Sequence, residues 1–512
     1  MSRLRIKAGH WALLILLLWG GAILASGLLR FDAYGLEEGA ARAILLAWSV
    51  ADRVISTAFV MGFPDLRLLL FLPLGLYWPG SMVAIKVFTL LACFTGVYLL
   101  HGWSRHRHGG EGALLASGLM LIAPVTIAQI DAVGTGPFLL LAFALGHWLN
   151  QTYRRAQRPL GGWFFVQLLL TAFAVSLHPV GLAYPLALFW EWRRDPLDTR
   201  HQRHVYIGLG IAAGLTLLLS LGWETQAWFA NPVTTLSGAL LGMDGEPGEV
   251  TRWIVGLVMS LLLALILLRR RLWTEDLAAR TLALAAILGL PAADPAWVMV
   301  TLATLLYLGI PALIAFNQTL GQQGFMGQRG LVMFVLFVTA TLFMQGDKAH
   351  YQRVAANLLN PTDQLILSFA LELEDEVRTA GDSQEDEDFL AMSQWPARTM
   401  LALRRPVLPL PPPYPDEQAL LKNIAGTTHL IFDPRDPRNR RLGSQLARLT
   451  ALSKTLLLEP GGVVIAIDTR RKRSESITQT PGVTAAARES QNPSDTSSRN
   501  RSATGTSPAA TH

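Results

Sequence analysis

Three carboxylates fall within seven residues of "LLRFDAYGLEEGAARAILLAW" (residues 28–48): Asp32, Glu37 and Glu38. They follow directly on the first long apolar run, where a chain leaving a bilayer meets water. They are either the solvated start of a helix or acid–base groups at a membrane surface. A carboxylate takes a proton from an attacking hydroxyl or amine when it lies within about 3 Å of it, directly or through one water. Other positions have chemical capacity too. Asp131 occupies a very short loop in "QIDAVGTGP", and Lys86 lies inside the apolar run "SMVAIKVFTLLACFTGVYLL". His178 stands between two apolar runs in "SLHPVGLAYP", and Asp294 marks a turn in "LPAADPAW". Plain readings exist for each: a turn or cap for Asp131, a turn for His178, and for Lys86 a stem that snorkels to the interface. Ionisable groups in apolar runs are nevertheless functional candidates. The single cysteine, Cys93, can form no internal disulfide, and "GTGPF" lacks the strand–loop–helix context of a phosphate loop.

The opening stretch reads as a helix from about 35 to 56. At 100° per residue, Ile44, Trp48, Ala51 and Ile55 share an apolar stripe that also carries Glu37. Glu38, Arg42, Ser49, Asp52 and Ser56 form the opposite polar stripe, as expected of an amphipathic helix lying on a membrane surface. Glu38 and Arg42 have the i,i+4 spacing of an ordinary ion pair, worth about 0.2–0.5 kcal/mol. Glu37 faces lipid or protein, where an unpaired charge is costly.

These residues need elements to hold them. The chain has 512 residues, 51% hydrophobic and only 16% charged, where a soluble protein carries about 25% charge. Runs approaching the roughly 18 to 20 residues of a membrane crossing fall at 11–29, 81–100, 113–128, 135–149, 162–177, 180–190, 205–222, 252–268, 281–293, 296–316 and 331–345. The fold class expected is mainly α, a polytopic membrane helix bundle of about eleven spans. The segment 57–80, broken by Pro64, Asp65, Arg67 and Pro73, reads as re-entrant or interfacial. Arg3, Arg5 and Lys7 set the N-terminus in the cytoplasm, and the five loops then assigned to that side all contain arginine. The opposite loop 223–251 has four acids and no Lys or Arg. The net charge of +6 is therefore a topology signal and does not argue for nucleic acid. Asp32, Asp131, Lys86 and His178 all gather at the non-cytoplasmic boundary.

Domain organisation follows the change in composition after 345. Residues 1–345 form the transmembrane domain, with a first outer loop at 30–80. Residues 346–470 alternate strand-like runs ("QLILSF", "THLIFDP", "TLLLE", "GVVIAID") with helix-like ones ("DEQALLKNIAG", "RNRRLGSQLARLTALSK"), as in a small C-terminal α/β domain. Residues 471–512, rich in Ser, Thr, Asn and Arg, read as a disordered tail.

This layout resembles the C-type glycosyltransferase superfamily, whose members include protein O-mannosyltransferases and lipid A aminoarabinose transferases. The local likeness runs from "LYWPGSMVAIKVFTLLACFTGVYLLHGW" to "DAVGTGPFLLLAFALGHWL" and through "SLHPVGLAYPLALFW", covering about residues 10–190. The resemblance implies transfer of a sugar from a polyprenyl-phosphate carrier to a lipid, glycan or protein acceptor on the outer face of a bacterial inner membrane. It matches Lys86 to a basic position and Asp131 to a later aspartate. The first-loop acid is then Asp32, or one of Glu37 and Glu38. The chain departs from the family in having its adjacent acids at Glu37-Glu38, with Asp32 apart, and "GFPDLRLLLFLPLG" where a Lys-Pro-Pro-Leu stretch is common.

On this reading Asp32 is the first choice of base and Glu37 the second. Asp131 positions the acceptor or a base partner. Lys86 and Arg42, with His178 a distant third, stabilise charge developing on the phosphate. Nothing in the sequence demands a divalent metal, although the chemistry admits one. A catalytically silent relative acting in envelope assembly is the second reading. A lipid or solute transporter is the third, disfavoured because the ionisable residues gather at one boundary rather than at mid-membrane.

Overall fold

The computed structural model describes residues 18–52, 66–156, 161–194, 232–241, 249–269, 276–292, 294–310, 328–380, 389–411 and, with short interruptions, 417–467, besides isolated positions at 208–214 and 273–274. The expected span 205–222 (but for those isolated positions), most of the outer loop 223–251 and the tail 471–512 lie outside the described residues.

Among the described residues the molecule is mainly helical with one small sheet. Three of its helices begin where a side chain caps them. Ser81 accepts the Ala84 amide at the start of Met82–His108, Asp276 accepts that of Ala279 before Leu277–Leu288, and Asp294 accepts that of Trp297 before Pro295–Thr304. Each satisfies an amide that has no partner within its helix. Asp294 is thus the turn residue its context suggests. By length and composition, Met82–His108 and Val250–Leu268 are long and apolar enough to cross a membrane. A third crossing forms if Gly112–Leu121 and Pro124–Asp131, bent by 48°, count as one broken span. Eleven spans were expected; the remaining described helices in those runs are shorter or less apolar. The bend falls at Pro124, which has no amide to continue the helix and which lets the short second half end on Asp131. Along Glu249–Leu268, Trp253, Ile254, Leu257, Val258, Leu261 and Leu262 are exposed. So continuous an apolar face suits contact with lipid rather than water.

Glu38–Asp52 is the helix expected at 35–56, shorter at its start, and it is not a surface helix. Ala40, Ala41, Ala43, Ile44, Leu46 and Ala47 are all buried. Arg67–Tyr77 packs on it so closely that a Cβ on Gly75 would stand 2.7 Å from the Ala47 carbonyl oxygen. The segment expected to be re-entrant or interfacial is helical over Arg67–Tyr77, shorter than a full crossing, and residues 53–65 lie outside the described residues.

In the C-terminal part the strands run in the order β2-β1-β3-β5-β4: β1 Ala391–Ser393, β2 Val407–Pro409, β3 His429–Phe432, β4 Ser453–Glu459 and β5 Gly462–Ile467. β1 pairs in parallel with β2 and β3, and β5 pairs antiparallel with β3 and β4. Period-2 alternation gives each face its own core. Ala391, Val407, Ile431 and Val464 meet Leu365, Phe369 and Leu373 of Pro361–Ala380 on one face. Met392, Leu430 and Phe432 meet Leu420, Ile424 and Leu442 on the other. "QLILSF", read as a strand, is helical within Pro361–Ala380. Its apolar residues continue as Leu365, Ile366, Phe369 and Leu373, a helical period that a six-residue window does not reveal.

Candidate functional site

The bent pair of helices delivers Asp131 to a tight turn. Val133 there holds φ at 54°, an unusual backbone for a β-branched residue, and the Gly134 amide donates to the Gln129 carbonyl at 2.7 Å. Strain of this kind persists where surrounding contacts hold it. Here Arg67 Nη1 donates to the Val133 carbonyl at 2.6 Å.

Asp131 is a nearly buried carboxylate with cationic and amide donors on it. Lys86 Nζ donates to its Oδ1 at 2.9 Å, as does the Arg30 backbone amide at 2.7 Å. His350 Nε2 stands 3.7 Å from Oδ2 and 3.0 Å from the Leu28 carbonyl oxygen. Lys86 is wholly buried, so its ammonium does not snorkel to an interface but is spent on Asp131. A buried charge requires such a partner.

Arg30 links this pair to Asp32. Its Nε and Nη2 donate to the two Asp32 oxygens at 3.3 and 2.8 Å, and Nη2 also donates to Asn357 Oδ1 at 2.6 Å. Asp32 Oδ1 further accepts the Tyr34 amide at 3.1 Å. Burial works against the guanidinium charge, but the Asp32 hydrogen bond and the carboxylates of Asp32, Asp131 and Asp363 outweigh it and raise the Arg30 pKa. Asp32 is the open member of the cluster, with its side chain 41% exposed against 9% for Asp131.

Glu37 sits at the same turn. Its amide donates to the Ala132 carbonyl at 3.0 Å. Its carboxylate accepts the Thr135 amide at 3.2 Å, Gln129 Nε2 at 3.3 Å and Arg67 Nη1 at 3.4 Å. The Thr135 amide opens the helix Thr135–Ala156, a favourable end for an anion. Glu37 therefore has a cationic partner, as an acid on an apolar stripe requires, and its side chain stays 30% exposed.

Glu38 departs from the helical-phase expectation of a solvent-facing residue. It is buried, and its oxygens accept the Ala397 and Arg398 amides at 2.7 and 3.2 Å. These open the helix Pro396–Leu403, so the carboxylate serves as an N-terminal anion supplied from 359 residues away. It does not simply pair with Arg42 at a wet surface, and Arg42 Nε is buried without a hydrogen-bond partner among the described residues. Helical phase assumed one wet face, whereas the C-terminal part covers it.

Three more residues complete the cluster. Asp363 accepts the Gly35 amide at 3.0 Å, Asn360 Nδ2 at 2.7 Å and the Arg398 guanidinium. Arg67, Asp363 and Arg398 were not singled out in the sequence as functional. Arg67 left a signal, an arginine inside an apolar run; the other two left none. His178 stands elsewhere: its Nε2 lies 2.7 Å from Asp294 Oδ2 and its Nδ1 accepts the Val180 amide at 3.2 Å. The structure thus brings Asp32, Glu37, Asp131 and Lys86 around one turn and ties His178 to Asp294 instead. Among the described residues no group of three or more His, Cys, Asp or Glu is placed to hold a metal ion.

The chain matches no protein-family model and no curated protein sequence. Among solved structures it is similar to ArnT from Cupriavidus metallidurans bound to undecaprenyl phosphate, with TM-score 0.47 and 13% identity, over 90% of this chain and 98% of that one. It is similar to the apo state of ArnT from the same organism with TM-score 0.46 and 14% identity, over 92% and 99%.

Proposed function

We propose that the chain is a multi-pass glycosyltransferase of the bacterial inner membrane. It transfers a sugar from a polyprenyl-phosphate carrier to an envelope acceptor on the outer face, with the N-terminus cytoplasmic and the C-terminal α/β domain periplasmic. The observation that carries this reading is Asp32: a half-open carboxylate beside a buried charge cluster, on the short loop that leaves the apolar bundle. The physical steps are simple. An acceptor hydroxyl or amine attacks the anomeric carbon, the bond from that carbon to the phosphate oxygen breaks, and the electron pair leaves with the phosphate. The acceptor's proton passes to Asp32, with Glu37 the second choice. Asp131, locked between Lys86 and the Arg30 amide, positions the loop that carries the base. Lys86 acts through Asp131, and Arg42 is one cation proposed for the departing phosphate. His178, tied to Asp294, has the weakest support.

The test is turnover by the purified full chain supplied with a polyprenyl-phosphate sugar and an outer-leaflet lipid or glycan acceptor. Product formation supports the reading. A well-folded protein that neither binds the carrier nor turns over would move the conclusion to a silent envelope-assembly protein.

A further inference from the structure

Resting on the proposed reaction, Asp32 presents a difficulty of its own. A carboxylate has about four lone-pair sites. Asp32 Oδ1 accepts both Arg30 Nε and the Tyr34 amide, and Oδ2 accepts Arg30 Nη2. Three sites are therefore occupied, two of them by one guanidinium, and one is left open. A lone pair already engaged by an N–H cannot receive a substrate proton. The base and its inhibitor are two residues apart on one loop.

The same guanidinium suits the leaving group. Arg presents donors in a planar fork that bonds carboxylate and phosphate alike; the sugar-bearing carrier is a phosphodiester with one charge over two free oxygens, like a carboxylate, and becomes a more highly charged monoester as the sugar leaves. Arg30 has its backbone amide anchored on Asp131, while its side-chain tip is held only by Asp32 and Asn357 among the described residues. Asn357 itself has φ at 53°, in the left-handed region, so it presents its side chain from a sharp turn after the helix Gln328–Ala355. The arrangement lets the tip swing between acceptors while the backbone stays fixed.

We propose that Arg30 is a substrate-exchanged latch: the phosphate of a polyprenyl-phosphate ligand displaces Asp32 from the Arg30 guanidinium and so releases Asp32 to act as base. Without a carrier the pair stays closed, and the two Asp32 lone pairs that face the guanidinium are withheld from an acceptor proton. With a carrier, the cation that guarded the base lies on the leaving group, where negative charge develops. No covalent bond changes in the exchange; the guanidinium trades one anionic acceptor for another, and the freed carboxylate keeps its charge.

The test measures binding of polyprenyl phosphate, without any sugar, to the purified full chain in four forms: wild type, Asp32→Asn, Arg30→Gln and the double variant. If the two anions compete for Arg30, Asp32→Asn binds the carrier phosphate about three- to tenfold more tightly than wild type, and Arg30→Gln binds it more weakly by a similar factor. In the double variant the gain from Asp32→Asn disappears, because there is no guanidinium left to release. An equal gain with and without Arg30 would reveal only loss of a nearby negative charge and would overturn the latch. No gain at all would overturn it as well. Either result leaves the proposed glycosyl transfer standing. Failure of the wild type to bind the carrier phosphate would overturn both. Asn357→Gly, which keeps the left-handed backbone and removes the second acceptor of Arg30, gives an independent arm should Arg30→Gln fold poorly. It should tighten carrier binding, and weaker or unchanged binding would count against the latch.

Discussion

Replacing Lys86 by methionine removes the cation from a buried ion pair and keeps the length of the side chain. Lys86 Nζ is 2.9 Å from Asp131 Oδ1, and neither side chain is more than 9% exposed. Unit charges at that distance attract by about 6 kcal/mol at an effective dielectric constant near 20, and desolvation of both groups takes back much of it. Removing one partner leaves the other charge buried and uncompensated, which typically costs 3–5 kcal/mol. Asp131 keeps the Arg30 amide at 2.7 Å, so a loss near the lower end, about 3 kcal/mol, is expected. Lys86→Met combined with Asp131→Asn removes the stranded charge and lets the amide oxygen still accept from Arg30. The double variant should recover at least 1 kcal/mol relative to the sum of the single losses. Denaturant unfolding of the detergent-solubilised protein, followed for all four forms, measures this coupling. Single losses that add to within about 0.5 kcal/mol would refute the ion pair as a load on stability.

Two further outcomes follow from the contacts described. Glu38→Ala leaves the Ala397 and Arg398 amides without an acceptor and should cost about 1–3 kcal/mol. Faster hydrogen exchange at the start of Pro396–Leu403 would report it, and unchanged exchange would contradict the contact. His429, against Phe369 and Phe389, has its pKa lowered by burial to about 4. The folded form therefore binds fewer protons than the unfolded one between about pH 6.5 and pH 4, so stability is full above that window and falls as pH drops through it, by up to about 3 kcal/mol. His429→Phe should flatten that decline in pH-dependent unfolding followed by a probe in the sheet; an unaltered slope would exclude His429 as its source.

How much of this was legible in the sequence depends on the distance a contact spans. Helices at 82–108, 135–156 and 249–268 and the strands β3, β4 and β5 are written in local apolar runs and match their expected places. β2 is hidden in a proline-rich stretch, since Pro409 offers no amide and suits the edge position that β2 holds. The candidate cluster was legible as a gathering of types: Lys86 with Asp131, and Asp32 with Glu37, each assigned to one boundary by alternation. Its pairings were not. Arg30 reads as an ordinary basic residue after an apolar run until Asp131 and Asn357, 101 and 327 residues away, supply its partners. Asp363 and Arg398 join through contacts to Gly35 and Glu38 that no local period encodes. Glu38 shows the same limit in reverse. Its phase on the helix was right to oppose Glu37, but a face that looks polar in sequence is here covered by another part of the chain.

The central claim is that Asp32 is the base of a glycosyl transfer, and single-turnover transfer from a polyprenyl-phosphate sugar tests it most directly. Asp32→Asn should slow the chemical step by about 10²- to 10⁴-fold while the protein still binds the carrier. Full transfer rates in Asp32→Asn, and again in Glu37→Gln, would contradict the assignment.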